Sequence, residues 1–401
     1  MPDKRSLAVL PFQNLSGDPE QEYFVDGVVE EIITAISRLP WLFVIARNSS
    51  FAYKGKSPDL CQVGRELGVR YVLEGSMRKA ANRVRITGQL IHTTSGAHIW
   101  ADRFDGGLDD IFELQDQVAS SVVAAIEPKL RKSEIERATR KPTESLDAYD
   151  LYLRALGRLH NFTEGDLSEA IALSRRALTL DPSYAPAAAM IAFCRVFQRI
   201  QNWGSVAEGE VAEGARLARQ AIEAGKDDPD ALWMGGFSMP SLAGDKATAE
   251  SAVDRALLLN PNSAYAWMAR GGLSYLQNRP GPAIDAYPHA MRLSPLDPLG
   301  YMFGCGLAFA HTIAGQYEEA LVWADRSLRE LPRFRPAVNL KVILYALLDR
   351  MDEARQWLDR LQEVVYGLTI AGFREFLGPM LPPEILNLYL GALRKAGLPE
   401  G

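Results

Sequence analysis

Cysteine is scarce in this chain. The 401 residues hold three, Cys61, Cys194 and Cys305, each more than a hundred residues from the next. No pair has the spacing of a zinc ligand set or a redox motif, and an odd, scattered set is no disulfide framework. The expectation is three small buried hydrophobes. An excess of one charge is missing too. Net charge is −6, and Lys+Arg against Asp+Glu runs 18 to 19 in residues 1–140 and 26 to 31 beyond. Neither part carries the basic footprint of a nucleic-acid binder. Long apolar runs are also absent. The first, Leu7 to Phe12, is too short for a signal-peptide core, and no stretch approaches the ~18 apolar residues of a membrane helix. The expected location is cytoplasmic. The histidines (His92, His98, His160, His289 and His311) show no metal-ligand spacing, so neither metal nor cofactor is expected.

Two fragments imitate catalytic motifs and fail on one residue each. Gly55-Lys56-Ser57 looks like the end of a phosphate-binding loop, but Ser50 stands where the first glycine belongs. No G-x-G-x-x-G follows Leu7–Phe12, so a dinucleotide fold lacks its signature. Gly236-Phe237-Ser238-Met239-Pro240 has proline in place of the second glycine of a nucleophile elbow and lies in a helical pattern. Asp18, Glu20, Glu22 and Asp26 gather at a helix start, where carboxylates favour the helix dipole; a metal site is the sharper alternative. The catalytic set is therefore empty, and the chain is expected not to be an enzyme.

What is present is a repeat. Small residues recur in apolar helical surroundings at Ala170, Gly214, Ala249, Ala283, Ala320 and Ala354, with a second row seven residues later at Ala177, Ala221, Ala256, Ala290, Ser327 and Leu361. Proline follows five residues on at Pro182, Pro261, Pro295 and Pro332, while Pro229 comes three residues late. Helices approach closely only where side chains are small, and i+7 returns to the same face after two turns. Proline then ends the second helix. Gln201-Asn202-Trp203-Gly204 falls in the one long interval, as a longer loop or lengthened helix pair. Pro288 is expected to kink its helix.

Residues 1–140 read differently. Ser6–Phe12 has the character of a buried strand, and Glu22–Leu39 places Phe24, Val25, Val28, Val29, Ile32, Ile33 and Ile36 at helical spacing. A short run Leu42–Ala46 follows. Ser57-Pro58 then opens a helix reaching Leu67, serine as cap and proline at its first position. Tyr71, Leu73, Gly75 and Met77, and likewise Val84, Ile86, Gly88 and Leu90, alternate with polar residues across a turn at Ala80-Ala81-Asn82, and His98–Phe104 adds a third strand. With helix Ile111–Leu130 the order is βαβαβββα, a small α/β unit, followed by a charged, linker-like Arg131–Ser145.

The repeat, with its ~34-residue period, resembles the tetratricopeptide repeat. "SLAVLPFQNLSGDPEQEYFVDGVVEEI", "VGRELGVRYVLEGSMRK" and "RVRITGQLIHTTSGAHIWADRFD" resemble the TolB N-terminal-like domain. These resemblances imply an α/β domain over 1–130 and a linker over 131–146. About six helical hairpins over 147–362 and capping helices over 363–401 would follow. They also imply the non-catalytic part of a bacterial regulator of the kind that carries a class III adenylate or guanylate cyclase domain or a winged helix, neither of which fits before Ser6. The expected function is regulatory protein–protein interaction. Regulation of such a cyclase is the first alternative, and the sensory part of a transcription regulator the second. Repeat arrays line a concave surface with the first helix of each hairpin. Counted from the markers, that surface includes Met234, Tyr265, Met268, Tyr275, Leu276, Met302 and Phe309, side chains suited to a peptide partner. Arg47, Lys54 and Lys56 make a basic loop for an anion or a partner, near a strand's C-terminal end. The N-terminal domain offers a surface for oligomerisation.

Overall fold

The computed structural model describes residues 5–18, 22–39, 41–56, 58–80, 83–107, 111–140, 147–203, 207–294, 297–365 and 367–401. The chain divides into two compact units, Met1–Ser133 and Glu134–Gly401. Glu20, Ser57, Ala81-Asn82, Gly204 and Pro295 lie outside the described residues.

The first unit is built on a mixed sheet. Its strands are β1 (Ser6–Val9), β2 (Gln13–Asn14), β3 (Phe43–Val44), β4 (Tyr71–Ala80), β5 (Arg83–His92) and β6 (Ala97–Gly107). The order is β3-β1-β4-β5-β6, with β2 also paired to β4; β1, β2 and β3 run parallel to their partners, and β4-β5-β6 is an antiparallel meander. β1 is apolar throughout because both of its faces are covered. Leu7 and Val9 pack with α1 (Glu22–Ile36) and with Val122, Val123 and Ile126 of α4 (Ile111–Arg140). Ala8 and Leu10 join Val63 and Val72 on the other side. The meander has one buried face and one wet face, the latter carrying the Arg85–Asp105 ion pair and the Gln89–Glu74 hydrogen bond. Gly75 sits in the buried row because a Cβ there would come within 2.7 Å of the Phe12 ring.

Three expectations change. The run Leu42–Ala46 contributes only two strand residues. The helix after it, α3 (Leu60–Glu66), is capped by Asp59, whose carboxylate accepts from the Cys61 backbone N–H at 2.9 Å; an Asx cap two residues nearer the apolar run displaces the proposed serine start. A short α2 (Arg47–Ser50) is also present. The linker-like stretch is helical as far as Arg140, because Leu130, Glu134 and Ala138 continue a buried row at i+4 spacing.

The second unit is helical. It pairs α5 (Ala148–Asn161) with α6 (Glu164–Leu180), α7 (Ala185–Gln201) with α8 (Glu208–Ala224), and α9 (Pro229–Ala243) with α10 (Lys246–Leu259). The pairs α11 (Ala264–Leu276) with α12 (Pro280–Leu293), α13 (Gly300–Ile313) with α14 (Tyr317–Glu330), and α15 (Arg335–Leu347) with α16 (Met351–Val364) follow. Every marker of both rows lies in a second helix and is buried, Ala320 and Leu361 without exposed surface. Helix starts carry conventional caps, such as Asp147, Thr163, Asp245 and Ser263. Among the described residues each hairpin turn has a left-handed residue: Phe162, Asn202, Gly244, Asn278, Gly315 and Asp349 in chain order. The long interval holds two helices of 17 residues each, α7 and α8. α12 continues past Pro288 to Leu293.

After α16 the chain breaks at Val365–Thr369, with Gly367 at φ 70°, and resumes as α17 (Ile370–Leu377) and α18 (Pro383–Ala396). The first amides of α17 have carbonyl partners from the chain's own end: Ile370 N–H donates to Pro399 O at 2.8 Å and Ala371 N–H to Glu400 O at 2.9 Å. α18 packs on α15 and α16.

Candidate functional site

The first helices of the hairpins face a common interior, and the array curves far enough for α7 to meet α15. The Arg335 backbone N–H donates to Gln201 Oε1 and its guanidinium to Ile200 O, both at 3.0 Å. Burial pushes the Arg335 guanidinium down to about 10. Part of the interior is filled with rings. Phe162, left-handed and buried, meets Phe197, Trp203, Tyr301 and Phe334 with centroids 5.2–6.0 Å apart. A β-carbon-bearing residue in that conformation costs free energy, here offset by the ring contacts it gains.

What is left unfilled is a cavity of about 230 Å³, bounded by α7, α9, α11, α13 and α15 and closed in part by α17 and α18. Of the seven concave residues read from the repeat, Met268, Tyr275, Leu276, Met302 and Phe309 line it. Met234 is buried elsewhere in the packing. Tyr265 stacks on Trp233 at 5.0 Å, and its hydroxyl donates to Asp297 at 2.8 Å. The concave face thus holds a partly enclosed apolar cavity.

Residues that the repeat pattern does not point to complete it. Phe373, Phe376 and Leu377 of α17 close one side, with Arg199 bridging: its guanidinium lies 5.4 Å from the centre of the Phe376 ring and donates to Ser241 O at 2.5 Å. Tyr287 comes from a second helix, α12, and reaches the interior between α11 and α13. A Cβ at Gly271 would lie 2.8 Å from its ring, and one at Gly306 only 2.2 Å. Those two glycines are the signal in the sequence that could have exposed it. Tyr389 of α18 also lines the wall and accepts a hydrogen bond from the Tyr275 hydroxyl at 3.2 Å. Burial raises the pKa values of the Tyr275, Tyr287 and Tyr389 phenols and the Cys305 thiol well above their ordinary ranges, so all four are neutral at physiological pH.

The basic loop is committed within its own unit. Lys54 Nζ lies 2.6 Å from Asp26 and 3.2 Å from Glu22. Arg47 lies 3.6 Å from Glu30 and stacks 3.9 Å over Phe51. Lys56 Nζ donates to Ala52 O. Burial alone would lower the Lys54 pKa, but hydrogen bonds to Asp26 and Glu22 outweigh it and raise it. The acidic start of α1 and the basic loop neutralise each other, and among the described residues no cluster has the make-up of a metal site. Gly55 sits in a turn at φ 73°. Cys194 and Cys305 are buried, whereas Cys61 is only half-buried.

Comparison with known proteins agrees with this division. Residues 3–121 match the family described as HilA/YgeH-like transcriptional regulator, second domain, and residues 243–298 match the tetratricopeptide repeat family. The curated protein named "Putative adenylate cyclase 3" of Rhizobium meliloti (strain 1021) is 47% identical over 229 residues. That match covers 57% of this chain and 39% of the relative, so the chain aligns with well under half of that protein's length. Among solved structures, the Cut9–Hcn1 hetero-tetramer of the APC/C aligns over 72% of this chain and 49% of its own, at 14% identity and a TM-score of 0.45. TolB from Acinetobacter baumannii aligns over 32% and 28%, at 17% identity and a TM-score of 0.24. Neither score carries an argument, and the resemblance of the first unit to TolB gains no support from the family match. The second unit is a tetratricopeptide-repeat domain, preceded by a small mixed α/β unit. Among the described residues no helix is long and apolar enough to cross a membrane.

Proposed function

We propose that this chain is a non-catalytic regulatory region that works by binding a protein partner through its repeat domain, in bacterial nucleotide-cyclase signalling. The observation that carries the reading is the array itself: six hairpins whose two marker rows are buried in every second helix, the architecture of a protein-recognition solenoid. The relative named as an adenylate cyclase supports the signalling context. Because rings fill part of the concave interior, the partner surface in this reading is the rim and outer faces of the hairpins. There Leu180, Leu258 and Val322 leave more than half of their surface in water. Photo-crosslinking residues at Leu258 and Val322, introduced into the chain in its native host, should trap the same protein from both positions. Failure of both to trap any protein would overturn the partner reading. Purified chain given ATP or GTP with Mg²⁺ or Mn²⁺ should form no cyclic nucleotide, and turnover would overturn the non-catalytic reading.

A second reading, the sensory region of a transcription regulator, is favoured by the family description over residues 3–121. Deleting the gene separates the two: a changed cyclic-nucleotide pool supports the first, and a changed set of transcripts with an unchanged pool supports the second.

A further inference from the structure

The cavity inside the repeat domain has the make-up of a small-molecule site. Its lining is almost entirely hydrocarbon and aromatic, with Phe237, Met268, Leu273, Phe309 and Phe376 among its walls. A space of about 230 Å³ in such surroundings offers water too few polar partners to be held well. Left empty, it forfeits the dispersion contacts that a packed interior supplies.

Its polar groups are few and neutral. The Tyr287 side chain is buried and reaches the wall through the gap left by Gly271 and Gly306, yet its hydroxyl makes no hydrogen bond with a described residue. Ser241 Oγ and Asn339 Oδ1 also belong to lining residues, and both are buried without a partner among the described residues. Buried polar groups ordinarily find partners, so two free ones beside a single space call for an explanation. Tyr275 and Tyr389 are engaged with each other. Among the described residues no Asp, Glu, Lys, Arg or His lines the cavity. A charged ligand would therefore be desolvated with nothing to pair it, which is costly. The Tyr287 and Ser241 hydroxyls can each donate to a neutral carbonyl oxygen, whereas Asn339 Oδ1 can only accept.

The geometry points to a binding site for a small, uncharged, mainly apolar molecule bearing one carbonyl oxygen, held by Tyr287 inside the repeat domain. Size follows by scaling. An apolar cavity of roughly 150 Å³ takes up benzene, so this one has room for about nine non-hydrogen atoms. Bound there, the molecule touches five hairpins and α17 at once. It would stabilise the curvature that brings α7 to α15 without touching the outer faces assigned to a protein partner.

Four probes of matched size test this on the full chain: acetophenone and 2-octanone (neutral carbonyls, one ring and one chain), ethylbenzene (no carbonyl) and phenylacetate (charged). The thermal midpoint of the helical signal is followed against ligand concentration. At least one ketone should raise the midpoint in a saturable way. It should bind about tenfold more tightly than ethylbenzene, and phenylacetate should have no effect; whichever ketone acts tells ring from chain. Tyr287→Phe keeps the ring and removes the hydroxyl, so the preference for ketone over ethylbenzene should vanish while ethylbenzene still binds. Gly272→Leu should block every probe, because a Cβ there meets nothing closer than 3.7 Å and the added side chain grows into the cavity. No response to either ketone, an equal response to phenylacetate, or a ketone preference that survives Tyr287→Phe would each overturn the assignment. If Gly272→Leu does not fold, the isosteric Tyr287→Phe decides alone. All these readouts concern the isolated chain, so their failure leaves the protein-partner reading standing, and the reverse holds too.

Discussion

Substituting alanine at Gly306 tests how Tyr287 is placed. Glycine in a helix interior is normally a weakness, and Gly→Ala there stabilises by about 1 kcal/mol. Gly306 lies in the middle of α13, so propensity alone predicts a gain. The structure predicts a loss, because the new methyl carbon would sit 2.2–2.3 Å from Cζ, Cε1 and the hydroxyl oxygen of Tyr287. None of these is the loose end of a flexible chain. The ring is buried and also pressed against Gly271, so it has little room to retreat. Overpacking of this kind costs about 1–3 kcal/mol, and three sub-contact approaches place it near the upper end. Set against the propensity gain, the net is a destabilisation of about 2 kcal/mol. In a Tyr287→Ala background the clash is gone, and Gly306→Ala should become stabilising by about 1 kcal/mol. The double-mutant cycle thus predicts a change of sign and a coupling of about 3 kcal/mol, readable from urea midpoints of the 222 nm signal, which the helical unit dominates. If Gly306→Ala stabilises the native chain, or has the same sign in both backgrounds, Tyr287 does not pass through that gap and the cavity wall has been misread.

Other perturbations give equally direct readings. At pH 8 a thiol reagent should modify one cysteine in the native chain, the half-buried Cys61, and three after unfolding. Burial raises the Cys194 thiol to about 12 and Cys305 higher still, so neither forms the reactive thiolate, and the native count should stay at one up to pH 10. Gln201→Ala removes the acceptor for the buried Arg335 N–H and should cost about 1–3 kcal/mol in the urea melt of the helical unit; no loss would show that the α7–α15 contact contributes little. Gly75→Ala would place a methyl 2.3 Å from the Thr87 carbonyl oxygen and against Phe12. It should lower the stability of the first unit by about 1–3 kcal/mol, seen as a shifted near-ultraviolet transition.

The repeat was legible because its cause is local and periodic. A helix crossing needs a small residue, and that need returned in each hairpin at Ala170, Gly214, Ala249, Ala283, Ala320 and Ala354, so position along the chain reported position in space. The same holds for β1, whose unbroken apolar run states that both faces are covered. The extra helical turns of α4 were missed because Arg131, Lys132 and Arg140 look solvated, while the buried row Leu130, Glu134 and Ala138 includes a charge. Arg47 and Lys54 read as a binding loop only because their counter-charges, Asp26, Glu22 and Glu30, lie far enough back in the chain to look like a separate feature.

By itself the sequence determined the hairpins, their number and their register, since those depend on side-chain size and turn chemistry within a few residues. It also determined five of the cavity's lining residues. Only the tertiary structure decided that they line one partly enclosed cavity. That outcome depends on how the small rotation at each hairpin accumulates until α7 meets α15, on α17 folding across the inner face, and on Tyr287 passing through a gap made by glycines on two other helices. Each of these joins residues distant in the chain, and no periodicity records them.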